Sequence, residues 1–127
     1  MLTATATFDL SNFQRIKKIV PGVSLVIKDA LDEYAEKVLA ESQTLVPVET
    51  GNLRDSGEID YIDVGGGNFP QVAITYTADY ALYIHEDLQL NHPNGGQAKY
   101  LEQPMNEDAP ELIKNIQTRI TNLIMGE

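Results

Sequence analysis

The sequence predicts an α+β fold: a small antiparallel β-sheet, a hairpin plus one or two further strands, packed against two long α-helices. Three observations carry this. Residues 23–45 repeat their apolar side chains at helical spacing. A second such stripe runs toward the C-terminus. Between the two, a pair of short alternating segments flanks "GGGN".

In chain order, residues 1–8 alternate Thr and Ala up to Phe8, which predicts an extended arm or an edge strand. Residues 1–10 are read as that arm, and 11–127 as a single α+β domain. Ser11 is placed to cap a short helix carrying Phe13, Ile16 and Ile19 or Val20, which "VPG" at 20–22 ends. In 23–45 the stripe is Val23, Ile27, Ala30, Leu31, Tyr34, Ala35, Val38 and Leu45, with acids on the opposite side. Glu33 and Lys37 are spaced for an i, i+4 ion pair. At about 1.5 Å per residue this helix is roughly 33 Å long. Pro47 ends it, because a residue before proline avoids helical angles. "EIDYIDV" and "FPQVAITYT" form the hairpin, with Val72, Ile74 and Tyr76 on one face. "DYALYIHE" is either a third strand or a helical turn. After the loop 87–97 a C-terminal helix follows, its stripe Leu112, Ile113, Ile116, Ile120, Leu123 and Ile124. Its regular part is expected to begin near Asp108, with Pro110 in the first turn.

The chain has 127 residues and 43% hydrophobic content, enough for one domain with a core. It has no run of eighteen apolar residues and no basic-then-apolar leader, so neither a membrane span nor a secretory signal is expected. The absence of cysteine excludes disulfides, thiolate metal sites and cysteine nucleophiles, and fits synthesis in a cytosol. Nine bases against nineteen acids leave a net charge of −10. Such a surface repels phosphate backbones and anionic membranes, so no specific nucleic-acid or membrane binding is expected. The bases are uneven: Arg15, Lys17, Lys18 and Lys28 fall within the first 28 residues.

Two residue sets invite a chemical reading. His85, Glu86, Asp87 and His92 suggest a metal-dependent hydrolase, but the zinc-protease helix needs a second histidine four residues on, and residue 89 is Gln. Thr50, Ser56, His85 and Glu86 suggest nucleophile, base and orienter, but no G-x-S-x-G elbow exists. "GGGN" lacks the lysine and helix start of a phosphate cradle. The expectation is no enzyme, no cofactor and no metal.

"PVETGNLRDSG", residues 47–57, has a structural account instead. Pro47 stops the helix. Thr50 is placed to cap a single turn over Asn52–Asp55, and Gly51 lets the backbone pass closely. Leu53 drops into the core, Arg54 presents a planar donor fork, and Ser56 with Gly57 releases the chain into the first hairpin strand.

This stretch resembles the "P-V-D-T-G-x-L-R-x-S" motif of the tail-completion or neck proteins of long-tailed bacteriophages. "YTADYALYIHEDLQLNHPNGGQAKYLEQPM" is similar to that family's "Y-A-x-Y-x-H/E-x-G … A-x-F/Y-L-x-x-A" segment. Tyr80, Ala81, Tyr83, His85, Glu86, Gln97, Ala98, Lys99, Tyr100 and Leu101 stand at the matching positions. The family's last alanine is replaced here by Pro104-Met105. The resemblance spans roughly residues 8–124. It implies a structural virion protein at the head–tail joint, working as a homo-oligomeric ring, sixfold or a multiple of six, with DNA passing through the lumen. Connector, tail terminator or tail tube proteins are the implied neighbours. Interface candidates are Arg54, Tyr80, Tyr83, His85, Glu86, His92, Gln97, Lys99, Tyr100 and Leu101, together with the hairpin edge, the arm and the loop 87–97. An arm of this kind can add a strand to a neighbour's sheet. Acids lining a lumen would let DNA slide. The alternatives are a tail terminator or minor capsid protein, the small hydrolase above, and an acidic regulator binding a basic partner.

Overall fold

A computed structural model of the chain describes residues 1–6, 10–47, 51–62, 69, 71–87 and 99–126. The elements run β1 (Leu2–Ala6), α1 (Ser11–Lys17), α2 (Val23–Leu45), α3 (Asn52–Asp55), β2 (Gly57–Ile62), β3 (Gln71–Tyr76), α4 (Ala81–Glu86) and α5 (Glu102–Met125). This is the α+β arrangement expected, with a three-stranded antiparallel sheet ordered β1-β3-β2. β3 is the central strand. Leu2 pairs with Tyr76 on one side of it and Gly57 pairs with Tyr76 on the other.

Helix α2 holds the fold together. It packs on β2 and β3, on α1, and most extensively along α5. Its buried stripe is Val23, Ile27, Ala30, Leu31, Tyr34, Ala35 and Val38, as the spacing predicts, but the last member is Ser42 rather than Leu45. Val72, Ile74 and Tyr76 point from β3 into the same core, and Leu112, Ile116 and Ile120 enter it from α5. Each fully buried aliphatic side chain here contributes about 1.5–3 kcal/mol of transfer free energy. The opposite face of β3 is covered as well: Ala73 and Thr75 are buried because β1 and β2 flank them, and Thr75 shares a 3.0 Å hydroxyl bond with Thr3.

Several expectations need correction. Helix α1 starts at Ser11 itself, and the capping position belongs to Leu10. Gly22, with φ 92°, supplies the left-handed residue from which α2 starts. Lys37 does not take Glu33 as its partner. It reaches Glu41 on its own helix and Asp108 and Glu111 on α5, while Glu33 pairs with Arg119. Pairing across two helices wins because α5 lies alongside α2. "DYALYIHE" settles as helix α4, not a strand. The third strand is β1, which pairs with β3 along one side and forms an edge of the sheet, the edge-strand alternative read for the N-terminal residues. Helix α5 begins at Glu102, six residues before Asp108, and carries Pro110 in its interior. Proline survives there because residue 110 faces solvent and the carbonyl left without an N–H can be hydrated.

Candidate functional site

The two segments singled out in the sequence meet through the sheet. The first begins where α2 ends: Val46 is extended (φ −63°, ψ 133°), as a residue before proline must be, and Pro47 is buried. Thr50 lies outside the described residues. The single turn over Asn52–Asp55 forms as expected, with Gly51 at φ 80° in the capping position. That left-handed conformation favours glycine over residues with a Cβ. Leu53 is buried. Arg54 stays half-exposed and pairs with its neighbour Asp55 at 3.5 Å, while its carbonyl accepts the Gln43 side-chain amide at 3.2 Å. The arginine is thus held within the corner.

Ser56 is the joint. Its hydroxyl donates to the Leu53 carbonyl (2.8 Å) and accepts from the Ala78 N–H (3.2 Å). Its carbonyl accepts the Thr77 N–H at 3.2 Å. One serine therefore ties the turn that enters β2 to the segment that leaves β3 for α4. Its hydroxyl is thus engaged both as donor and as acceptor within the corner. The next residue, Gly57, is closely approached: a Cβ there would sit 2.8 Å from Leu39 Cδ1, the movable end of a half-buried side chain, and 3.1 Å from Cε1 of the buried Tyr76 ring.

The second segment is held by buried aromatics. Tyr76 and Tyr100 meet edge to face at 5.2 Å, and His85 meets Tyr100 likewise at 4.9 Å. Tyr100 donates its hydroxyl to the Ala81 carbonyl at 2.6 Å. Burial pushes Tyr76 up to about 12 and raises Tyr100 further in the same direction. His85 is 5% exposed. Its Nε2 accepts the Glu102 backbone N–H at 3.2 Å, so the proton resides on Nδ1, which donates to Glu86 Oε1 at 2.8 Å. Its carbonyl accepts the Lys99 N–H at 2.7 Å. Lys99, in a left-handed backbone conformation (φ 56°), pairs with Glu86 and with Glu102. Hydrogen bonds from Lys99 first and His85 second hold the Glu86 carboxyl below the usual carboxylate range.

These placements divide the candidate contact residues. Tyr80, Tyr83 and Glu86 are exposed. His85, Tyr100 and Leu101 are buried, so they position the surface of α4 rather than form part of it. His92 and Gln97 lie outside the described residues. With both ring nitrogens engaged, His85 offers no lone pair to a metal or substrate. Among the described residues no group of three His, Cys, Asp or Glu side chains is arranged to hold a metal ion. No helix among them is long and apolar enough to cross a membrane.

Two residues went unseen in the sequence. Ser42 shares a buried 2.7 Å hydroxyl bond with Tyr76, locking α2 to the central strand. Asp108 is buried beside Lys37, 3.7 Å from its Nζ. Position was the available signal. Ser42 falls four residues after Val38, and Asp108 four before Leu112, each at a stripe position held by a polar side chain.

Comparison with known proteins finds one family. Residues 11–85 match the model described as "Bacteriophage HK97-gp10, putative tail-component". That span includes α1, α2, the Ser56 joint, the hairpin and α4 as far as His85. No curated protein and no solved structure matches.

Proposed function

The chain belongs to the HK97-gp10-like family of bacteriophage tail components, and from that premise we propose that it is a non-catalytic neck or tail-completion protein. In this reading identical copies form a ring between the head connector and the tail, and DNA passes through the lumen. The observation that carries it is the family match over the corner and α4. The geometry supports it: the serine and histidine that chemistry would need are spent on holding α3 and α4 in place. What α4 then presents outward is Tyr80, Leu82 and Tyr83, a side suited to contact. The −10 charge suits a lumen that must not grip DNA.

The test is electron microscopy of particles from a phage lacking this protein, with a gold-labelled copy in the complemented phage. Full heads and separate tails, with label at the joint after complementation, are expected. Joined particles without the protein, or label elsewhere, would overturn the neck assignment. Label on the head-proximal end of isolated tails would point instead to a tail terminator. For the lumen, reversing inward-facing acids to lysine is expected to slow DNA ejection; unchanged ejection sinks that part.

A further inference from the structure

A closed ring of identical copies needs two different surfaces on each chain that fit one another. The two ends of α5 carry such a pair. Helices α2 and α5 run antiparallel: Tyr34 bonds the Met105 carbonyl, Lys37 pairs with Glu111, and Gly22 lies against Leu123. The N-terminal end of α5 therefore sits with α4, and its C-terminal end sits with the α1–α2 turn. The 24-residue helix separates them by about 36 Å.

At the α4 end, Tyr80, Leu82 and Tyr83 are exposed. Residues 77–87 add Asp79, Glu86 and Asp87 and contain no Lys or Arg; Lys99 beside them is paired with Glu86 and with a further acid, Glu102. At the other end, Ile19 is 80% exposed, and Leu25, Ile124 and Met125 are more than half exposed. Residues 10–28, around the same turn, carry Arg15, Lys17, Lys18 and Lys28 and no acid. Lys17 is held over the Phe69 ring at 5.2 Å, while Arg15, Lys18 and Lys28 are exposed. An open depression of about 350 Å³ between α2 and α5, lined by Val26, Asp29, Arg119, Asn122 and Leu123, adjoins this end. A chain with net charge −10 thus keeps one basic, aliphatic end opposite one acidic, aromatic end.

We infer that successive copies dock end to end, the α1–α2 turn and α5 C-terminus of one against α4 of the next. This rests on the ring reading and names its contact. Unlike charges bring the ends together, and like ends repel. The aliphatic side chains and the aromatic ones then exclude water between them.

The absence of cysteine makes the contact directly testable. Ile19→Cys and Leu82→Cys are made singly and together in the full chain, with folding checked by circular dichroism. Both positions are exposed, so neither substitution disturbs the core. Oxidation is run on concentrated purified protein and on phage particles. The double variant is expected to give a ladder of multimers and each single variant no dimer. Lys18→Glu with Lys28→Glu is expected to weaken self-association about tenfold, and Asp79→Lys in the same chain to restore part of it. Dimers from the single variants, or no ladder in either preparation, would overturn the end-to-end contact. A ladder in solution from a protein absent from particles would leave the contact standing and defeat the tail reading. A protein present in particles without a ladder would do the reverse.

Discussion

Ser42 and Tyr76 form a pair whose two halves are not equivalent. If Tyr76 loses its hydroxyl, Ser42 can turn to the carbonyl four residues back in its own helix. If Ser42 loses its hydroxyl, the Tyr76 O–H is left buried without a partner. Ser42→Ala is therefore expected to cost about 1–3 kcal/mol and Tyr76→Phe less. The double variant should recover part of the loss, as read by urea denaturation of all three. Equal single costs would show that the bond matters only as packing. Gly57→Ala forces a methyl against Leu39 and the buried Tyr76 ring, and is expected to cost about 1–3 kcal/mol in the same assay. A neutral result would mean that β2 shifts away without penalty. At this scale the sequence was legible where a residue follows a local rule. Pro47, Gly51 and Leu53 behave as their types dictate. Arg54 pairs within its own corner, with the adjacent Asp55, whereas Ser56 and His85 could be named but not given partners, because Ala78 and Glu102 are brought close only by the completed fold.

Among the elements, α2 was readable in its bounds and in all but the last position of its stripe, Ser42 in place of Leu45, because both stripe and stops are local. Helix α4 was ambiguous because six residues do not establish a period. The start of α5 was misplaced because two prolines suggest a late beginning. The structure instead uses Pro104 in the first turn and tolerates Pro110 on the solvent side. That tolerance is not free. Pro110→Ala restores the missing N–H and is expected to stabilise the protein by about 1–3 kcal/mol, measured as a higher urea midpoint. A loss of stability would show that a proline bend in α5 is needed for its fit along α2.

Across the whole molecule, five of the six tyrosines are pushed upward in pKa, which sets the alkaline limit. Tyr34, Tyr61 and Tyr76 rise to about 12, mainly through burial. Tyr100 rises for the same reason, and Tyr83 rises chiefly through its bond to Asp87. In each case folding favours the protonated phenol. The stability this reflects is fully present below the unfolded value near 10 and is lost as pH rises toward the folded values. Lys37 and Lys99, raised chiefly by bonds to Glu111 and Glu86, act with the same sign. A spectrophotometric titration is expected to show the buried Tyr34, Tyr76 and Tyr100 released late and cooperatively, accompanying unfolding. Release of these three near 10 with the fold intact would contradict this. The overall class was legible because it needs only two helical stripes and a hairpin. The order β1-β3-β2 was not, since pairing between residues 2–6 and 72–76 leaves no local mark.

That long-range pairing has a consequence for a chain still being made. During synthesis β1 and β2 have no partner until the strand between them, β3, has left the ribosome. Until then α2 has completed its apolar stripe with neither sheet nor α5 to cover it. A nascent chain halted at residue 62 should therefore be helical, free of paired strands and prone to capture by chaperones, with ordering of the sheet only once residue 76 emerges. Stalled ribosomes of increasing length, probed by limited proteolysis, should show protection arriving in one late step rather than growing gradually with length.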